Sequence, residues 1–338
     1  MAHYLITGHT GFKGSWLSLL LKSRGHEVSG LALEPAAESL FARADIGSDM
    51  FHDLRVDIRN RNATIEAFKQ VAPDYVIHLA AQALVREGYR KPVETYETNV
   101  NGTMHVLEAS DRTDSVKAQL IVTTDKVYRN DGHTRPYAET DPLGGKDPYS
   151  ASKAMADILA QEWFSNERSK PGAIARAGNV IGAGDASKER LIPDILRAYE
   201  SGQTLTLRYP NAIRPWQHVL DCLQGYILLL DSVSPPGFGG AWNFGPNPED
   251  LWSVLDVVTL AKEIVTGLDY VIVKSEIPYL ETDFLNLDSR KIKAEIDWQP
   301  RASPQLSVPK ALAEVLPSQT LGVREILEAQ IKEHESGW

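Results

Sequence analysis

The sequence predicts an α/β protein with a doubly wound parallel sheet, and three observations favour this fold class. Short apolar segments alternate with helical ones through the first half of the chain. A glycine-rich loop joins the first strand-like segment to the first helical one. After about residue 183 the alternation loosens, which indicates a smaller second lobe. Strands that alternate with helices favour parallel pairing with right-handed crossovers.

Hydrophobic periodicity places the individual elements in order along the chain. In the first half, strands are expected at 3–8, 27–33, 74–81, 118–122 and 173–182, and helices at 14–25, 62–71, 93–110 and 148–165. In the second half, helices are expected at 190–202, 219–233 and 253–265, with a short strand at 241–245 that could return to the sheet. We therefore expect a Rossmann-type domain at residues 1–182, completed by about 238–246, and a partly interleaved C-terminal lobe at 183–338.

The bulk composition argues against several classes of protein. The 338 residues carry 35 basic and 45 acidic side chains, and a net charge of −10 does not suit a nucleic-acid partner. No apolar run approaches the roughly 20 residues of a membrane span, and the N-terminus lacks the pattern of a signal peptide. The single cysteine, Cys222, cannot form a disulfide within the chain, so a cytoplasmic setting is expected. No metal site is expected.

The loop TGHTGFKGSW places Gly8, Gly11 and Gly14 between the first strand and the first helix. Glycines at such positions let the backbone approach a pyrophosphate, and a helix N-terminus offers unpaired N–H groups and a positive dipole. We therefore expect a dinucleotide at this loop, in contact also with Thr10 and Phe12. A purely structural turn is the alternative.

The segment DPYSASK contains Tyr149 and Lys153, which share one face of a helix because they are four residues apart. A tyrosine with a pKa of about 10 is a poor base at neutral pH, but a nearby ammonium group stabilises its phenolate. Such a phenolate can take a proton from a sugar hydroxyl while a hydride leaves the same carbon. An ordinary exposed helical face is the alternative.

The strand-like segment AQLIV is followed by Thr124, Asp125 and Lys126. Thr124 together with Tyr149 and Lys153 already suffices for hydride transfer. An additional acid and base beside them indicate a second chemical step. Loss of water is such a step, because it needs one group to remove a proton and another to protonate the departing hydroxyl. A solvated turn held by a salt bridge is the alternative.

These motifs together resemble the extended short-chain dehydrogenase/reductase family, and the resemblance spans most of the chain. It implies NAD as the cofactor. Beyond the glycine loop, the implied cofactor contacts are Asp57, Ile58, Leu79, Ala80, Ala81, Tyr149, Lys153 and the supporting Asn99. The family's usual ribose-binding acid falls on Ala32, where Glu34 would substitute, and 32–35 contains no arginine for a 2′-phosphate. NAD is therefore favoured over NADP.

Within this family the chain resembles the nucleotide-sugar 4,6-dehydratases. Many of these carry Asp-Glu after the active-site threonine, whereas those that act on CDP-glucose carry Asp-Lys, as here at Asp125 and Lys126. The resemblance implies oxidation of a hexose at C4, loss of water across C5 and C6, and return of hydride to C6. Asp125 would be the acid and Lys126 the base. The polar loop at 129–141 departs from the family's aromatic pattern, so CDP-glucose is favoured while the nucleotide base stays open.

Two other functions stay open at this point. One is a nucleotide-sugar C4 epimerase or 4-keto reductase that uses the same tyrosine and lysine. The other is a cofactor-binding regulator without turnover. The pair Asp125 and Lys126 argues against the first, and the intact set of Thr124, Tyr149 and Lys153 argues against the second.

The resemblance also implies substrate contacts and an assembly. A nucleotide diphosphate carries several negative charges, which arginines bind well through bidentate geometry. The implied substrate residues are Asn179, Arg190, Leu191, Arg208 and Arg214. The helices expected at 93–110 and 148–165 would pair with those of a second chain in a homodimer.

Overall fold

A computed structural model describes residues 1–167, 169–233, 239–273, 282–316 and 319–338. The described strands are β1 (His3–Thr7), β2 (Glu27–Ala32), β3 (His52–Arg55), β4 (Tyr75–His78), β5 (Ala118–Val122), β6 (Gly172–Ala177), β7 (Val180–Ile181), β8 (Leu205–Leu207), β9 (Ile213–Arg214), β10 (Gln217–His218), β11 (Ala241–Phe244), β12 (Trp252–Ser253) and β13 (Tyr270–Ile272). The described helices are α1 (Phe12–Ser23), α2 (Leu40–Arg43), α3 (Arg61–Val71), α4 (Val85–Arg90), α5 (Pro92–Tyr96), α6 (Gly102–Asp111), α7 (Pro148–Ser165), α8 (Leu191–Ser201), α9 (Val219–Ser232), α10 (Val254–Ile264), α11 (Arg290–Ile296), α12 (Pro304–Ala311) and α13 (Val323–Glu335).

The main sheet has seven parallel strands in the order β11-β6-β5-β4-β1-β2-β3. The chain runs outward from β1 in one direction through β2 and β3, and in the other through β4, β5 and β6. The two directions part between β1 and β4, and ligands bind at such a point beyond the carboxyl ends of the strands. The predicted doubly wound parallel sheet is confirmed.

Helices cover both faces of this sheet because neighbouring strand residues point to opposite sides. Leu120 packs into a core shared with α1, α9 and α13, which includes the fully buried Trp16. Ile121, the next residue along β5, packs on the other side against α6 and α7. A further cluster on that second side joins α3 to α6. The sheet is therefore buried on both faces, as its almost entirely apolar central strands require.

A second core lies in the C-terminal part of the chain. It is formed by α8, α10 and α12 and by the pair of β8 with β13. The same part of the chain also contributes α9, α13 and β11 to the main sheet and its core. Residues 183–338 are thus divided between the two cores. Residue 238, in the segment expected to complete the main domain, lies outside the described residues.

Three of the differences from the sequence-based prediction concern the main sheet and the elements beside the site. β3 was not predicted, because its sequence HDLR is short and polar and it pairs only at the sheet edge with β2. The single helix expected at 93–110 is interrupted by a π-helical turn at Glu97–Asn101, which points Asn99 inward. The strand expected at 173–182 ends at Ala177, and β7 pairs with β10 outside the main sheet.

Candidate active site

A cavity of about 790 Å³ lies beyond the carboxyl ends of the main strands. Except for Asn99, Leu191 and the alternative ribose-binding acid Glu34, it is lined by every residue that the sequence assigns to the site. These are Gly8, Thr10, Gly11, Phe12, Gly14, Asp57, Ile58, Leu79, Ala80, Ala81, Thr124, Asp125, Lys126, Tyr149, Lys153, Asn179, Arg190, Arg208 and Arg214.

The glycine loop brings the backbone to the cavity wall. Gly8 has a φ of 75°, and a Cβ there would lie 2.7 Å from the backbone nitrogen of Ala80. A Cβ on Gly14 would lie 2.3 Å from the carbonyl oxygen of Gly8. Gly11 is exposed and caps α1 without any side-chain hydrogen bond. The first N–H groups of α1 therefore face the cavity, and this arrangement fits the pyrophosphate of a dinucleotide.

Charged residues gather where β2 and β3 end. The parallel register sets Arg55 opposite Ala32, and its Nε donates to Glu34 Oε2 at 3.1 Å. Arg55 also binds both carboxylate oxygens of Asp53. Residues 32–35 contain no arginine, and Arg55 reaches Glu34 from the adjacent strand β3. Two carboxylates surround this guanidinium, and their net negative charge disfavours a 2′-phosphate.

His9 and Asp57 flank this cofactor end of the cavity. His9 is fully buried, and its Nε2 lies 2.6 Å from Asp53 Oδ1. Asp57 lines the cavity beside Ile58, and its carboxylate accepts from the backbone and the guanidinium of Arg59. These hydrogen bonds hold the pKa of Asp57 below its usual value. Asp57 is therefore an ionised acceptor at neutral pH.

Helix α7 starts directly beside the cavity. Asp147 caps it by accepting from the backbone of Ser150 at 3.0 Å, and Pro148 occupies the first turn. Tyr149 and Lys153 follow on one face and are 7% and 5% exposed. Lys153 Nζ donates to the carbonyl oxygen of Val122 at 2.8 Å. Burial lowers the pKa of Lys153 to about 7, and the charge of Lys13 acts in the same direction.

The electrostatic setting of Tyr149 differs from the sequence-based expectation. Burial raises its pKa. Two influences oppose this rise: the positive charge of Arg190 comes first, and the hydrogen bond with Thr124 comes second. Lys153 was expected to be the stabilising cation, but in the described structure Arg190 is the cation that lowers the pKa of Tyr149.

The turn after β5 positions the predicted acid–base pair. Thr124 Oγ1 donates to Asp125 Oδ1 at 2.9 Å and accepts from the backbone N–H of Lys126 at 3.4 Å. Asp125 is 3% exposed, and its Oδ2 has no hydrogen-bond partner among the described residues. Burial raises the pKa of Asp125, against the opposing charge of Lys126. A buried carboxyl group with a raised pKa and a free oxygen is suited to donate a proton.

The substrate half of the cavity contains three arginines. Arg190 and Arg214 both lie close enough to Asp125 that their charges lower its pKa, whereas Arg208 is exposed farther out. Asn179 lines the wall between β6 and β7. Leu191 instead packs against the second core. The cavity therefore contains positive charge close to Asp125.

Asn99 lies behind the wall and supports it. Its Oδ1 accepts from the backbone N–H of Gln82 at 2.8 Å, and its Nδ2 donates to the carbonyl oxygen of Gln82 at 3.0 Å. The same Nδ2 donates to Ser152 Oγ on α7 at 2.9 Å. Asn99 thus fixes the loop after β4 against α7.

Sequence reasoning missed a contact across the cavity mouth. Arg86 on α4 forms an ion pair of 3.1 Å with Glu189, which precedes α8, and both residues line the cavity. Arg190 adds a donation to the carbonyl oxygen of Ala83 at 3.3 Å. No local motif marks these residues. They become neighbours only because the second core lies over the carboxyl edge of the sheet.

Among the residues described, no helix is long and apolar enough to cross a membrane. In the same residues no cluster of histidine, cysteine and acidic side chains could hold a metal ion.

Comparison with known proteins agrees with the fold and the cavity. Residues 4–245 match the model of the NAD dependent epimerase/dehydratase family. The chain is 41% identical over 308 residues to CDP-glucose 4,6-dehydratase of Salmonella typhimurium, which covers 88% of this chain and 85% of that protein. It is 28% identical over 339 residues to dTDP-glucose 4,6-dehydratase of Xanthomonas campestris, with 95% of each covered. The crystal structure of dTDP-glucose 4,6-dehydratase from Bacillus anthracis in complex with NAD superimposes with a TM-score of 0.79 at 24% identity, over 92% of this chain and 96% of that one.

The protein therefore belongs to the NAD dependent epimerase/dehydratase family. The expected resemblance to extended short-chain dehydrogenase/reductases, and to CDP-glucose 4,6-dehydratase among them, is confirmed.

Proposed function

We propose that this protein is an NAD-dependent nucleotide-sugar 4,6-dehydratase, a hydro-lyase that converts CDP-glucose to CDP-4-keto-6-deoxyglucose. One observation carries the proposal. The buried carboxyl group of Asp125, with a free Oδ2, lines the same cavity as Tyr149 and Lys153. The reaction of a simple oxidoreductase or epimerase has no step that needs this additional acid. The 41% identity to a CDP-glucose 4,6-dehydratase supports the choice of substrate.

The cofactor fits the half of the cavity that contains the glycine loop. NAD would be held there by the lining residues of that loop, by Asp57 and Ile58, by Leu79, Ala80 and Ala81, and by Tyr149 and Lys153. When bound, it accepts a hydride from the sugar and later returns it. A Cβ at Gly8 or Gly14 would clash with neighbouring backbone atoms. The absence of side chains at these two positions keeps the loop compact, so its backbone can approach the pyrophosphate closely.

The first chemical stage is oxidation at C4. Tyr149 takes the proton of the C4 hydroxyl as the C4 hydride departs, and Thr124 hydrogen-bonds to the tyrosine. The charge of Arg190 favours the phenolate form of Tyr149, because an opposite charge nearby stabilises an ionised group. The product of this stage is a 4-keto sugar, whose C5 proton is acidic because the resulting carbanion delocalises into the ketone.

The second stage is loss of water. Lys126, which must be in its neutral form for this step, removes the C5 proton, and Asp125 protonates the C6 hydroxyl, which leaves as water. A hydride delivered to C6, together with the proton that Lys126 returns to C5, would complete the 4-keto-6-deoxy sugar. Asp125 suits its role because burial raises its pKa and keeps a proton available at higher pH than usual.

The arginines are proposed to bind the nucleotide diphosphate. Arg190, Arg208 and Arg214 supply positive charge on the substrate side, and Asn179 supplies an amide. Leu191, which follows Arg190 at the start of α8, stays a proposed contact, although it does not line the cavity and is half-buried against the second core.

Screening of CDP-, dTDP-, UDP- and GDP-glucose tests the proposed function. A 4-keto-6-deoxy product absorbs in alkali in the near ultraviolet, whereas a C4 epimer does not. We expect the product from CDP-glucose at the highest kcat/KM. Formation of a C4 epimer, or of no product from any of the four, would contradict the proposal.

The proposal also covers the roles of the two parts of the chain, the oligomeric state and the cellular location. Residues 1–182 with the strand β11 would bind the cofactor, and the C-terminal lobe at 183–338 would bind the nucleotide sugar. A homodimer would form through α5, α6 and α7, since Met155 and Ile158 on α7 are 49% and 53% exposed. The single cysteine, which is buried and free, suits a cytoplasmic enzyme.

A further inference from the structure

A buried ion pair joins α7 to β6 directly behind the turn that carries Asp125 and Lys126. Arg176 Nε donates to Asp157 Oδ2 at 2.9 Å, and Arg176 Nη2 donates to Asp157 Oδ1 at 2.6 Å. Their side chains are 1% and 0% exposed. Such a pair is weak evidence for stability, because the desolvation of two charges offsets their attraction. The residues that contact the pair indicate that it contributes to the position of the turn instead.

The same ion pair binds both ends of the catalytic turn. Thr123 Oγ1, at the start of the turn, donates to Asp157 Oδ2 at 2.9 Å. Tyr128, at its end, accepts from Arg176 Nη1 at 2.9 Å. The four residues between these anchors include Thr124, Asp125 and Lys126. One buried pair therefore sets the path of the whole segment.

A second layer of contacts fixes the position of Tyr128. Its hydroxyl donates to Asn243 Oδ1 at 2.6 Å, and its ring stacks on Tyr137 with centroids 5.1 Å apart. Asn243 in turn donates from Nδ2 to the carbonyl oxygen of Tyr137 at 2.8 Å, and its backbone N–H donates to Glu139 Oε1 at 2.8 Å. Tyr128 is thus held by hydrogen bonds of fixed direction and by stacking.

The pair also fixes the turn relative to the oxidation residues. Asp157 follows Tyr149 and Lys153 on α7 at spacings of eight and four residues, so all three lie on one face of the helix. Tyr149 and Lys153 have further restraints of their own, namely the helix cap at Asp147 and the bond from Lys153 to the carbonyl oxygen of Val122. Asp125 and Lys126 lie instead in a single 3₁₀ turn, Asp125–Val127, between the two anchors.

We propose that Arg176 and Asp157, acting through Thr123 and Tyr128, are positioning residues that hold Asp125 and Lys126 against the sugar and so govern the loss of water more than the oxidation at C4. This inference rests on the proposed dehydratase function. Misplacement of an acid by about 1 Å can slow its step up to about 100-fold. Oxidation depends less on the anchors because Tyr149 and Lys153 are held by α7 itself, and of the oxidation residues only Thr124 lies in the anchored turn.

Thr123→Val and Tyr128→Phe test the proposal, because each removes one anchoring hydroxyl and keeps the shape and the buried ion pair. The measurement is a single turnover of CDP-glucose by the protein loaded with NAD. Near-ultraviolet absorbance follows the reduced nicotinamide, and alkaline absorbance of quenched samples follows the 4-keto-6-deoxy product. We expect water loss to slow about 10-fold in each variant and C4 oxidation to change less than about twofold, so that reduced nicotinamide accumulates.

Matched controls remove a hydroxyl from buried residues elsewhere. Thr113→Val loses a bond to the carbonyl oxygen of Ala109 in the preceding helix α6, and Tyr4→Phe keeps its stacking on Tyr75. Both should keep the wild-type ratio of the two rates. The double variant Thr123→Val/Tyr128→Phe should slow water loss by less than the product of the single effects, because both anchors act through one ion pair.

The outcomes separate the two proposals. If the wild type forms no 4-keto-6-deoxy sugar, the proposed function itself fails. If the wild type forms it while Thr123→Val and Tyr128→Phe slow both stages equally, or leave the ratio unchanged, only the positioning role is overturned. Melting temperatures of variants and controls show whether any change is a loss of folding, which would lower both rates together.

Discussion

Backbone groups form one half of the cavity, and side chains form the other. The cofactor half is made of backbone: Gly8 and Gly14 lie where any Cβ would meet neighbouring backbone atoms, and Gly11 caps α1. The substrate half is made of side chains from separate elements, with Asp125 after β5 and Arg190 before α8. Backbone sites need particular residues at fixed spacing, whereas side-chain sites depend on burial and charge set by the tertiary fold.

The largest expected effect is in the substrate half, where Asp125→Asn removes the proposed acid. The isosteric amide cannot donate a proton to the C6 hydroxyl, so formation of the 4-keto-6-deoxy sugar should fall roughly 1000-fold while C4 oxidation persists. Single-turnover absorbance of reduced nicotinamide and alkaline absorbance of product measure the two stages. Asp131→Asn, in the exposed loop that follows, should behave as wild type. Equal loss of oxidation and water loss in Asp125→Asn would count against the assignment.

The next effect is in the cofactor half, where Gly8→Ala places a Cβ against Ala80. Both the clash and the φ of 75° oppose the loop geometry, so NAD affinity should fall roughly 100-fold. Calorimetric titration with NAD measures it. Gly132→Ala is the matched control, because Gly132 has a φ of 82° but open space around its Cβ. It should lose about 1 kcal/mol of stability and keep its NAD affinity. Unchanged affinity in Gly8→Ala would show that the loop does not hold the cofactor.

A smaller effect tests the unexpected electrostatics of Tyr149. Arg190→Gln removes the positive charge that opposes the burial-induced rise in the pKa of Tyr149. The tyrosine should then lose its proton only at higher pH, so the rising limb of the pH profile for C4 oxidation should move to higher pH. Arg197→Gln, on the exposed side of α8, is the control. If the limb does not move in Arg190→Gln, Lys153 and not Arg190 would be the cation that lowers the pKa of Tyr149.

The smallest effect concerns stability of the protein without cofactor. The folded pKa of Lys153 is about 7, below its ordinary value of 10.5, so the unfolded chain binds the extra proton between these values. Stability from this group is therefore lost as the pH falls from about 10.5 to about 7, and it is regained as the pH rises through the same range. Relative to Lys153→Met, the wild type should gain about 2 kcal/mol between roughly pH 7 and pH 9 in urea unfolding. The exposed variant Lys69→Met should follow the wild type, and parallel curves for wild type and Lys153→Met would contradict the shifted pKa.

The sequence predicted the cofactor half better than the substrate half. The spacing of Gly8, Gly11 and Gly14 and that of Tyr149 and Lys153 are local, so the sequence contains them directly. Arg55 beside Glu34 and Arg190 beside Tyr149 depend on strand register and on the packing of the second core, which no local pattern shows. β3 escaped prediction for a related reason, since a short polar edge strand has no apolar run to mark it.

The turn containing Asp125 was predicted in part. Its residue types predicted an acid–base pair, and the structure adds the burial and the free Oδ2 that suit a proton donor. The anchoring by Arg176 and Asp157 was not predictable, because the two residues lie on different elements and neither faces the cavity.

The central claim is that a hydride taken from C4 returns to C6 after water is lost between C5 and C6. CDP-glucose carrying deuterium at C4 tests it most directly, with the position of the label in the product read by nuclear magnetic resonance. If the hydride moves from C4 to C6, the product is a 4-keto-6-deoxy sugar with the deuterium on its C6 methyl group. Deuterium that remains at C4 of an epimerised hexose would contradict it.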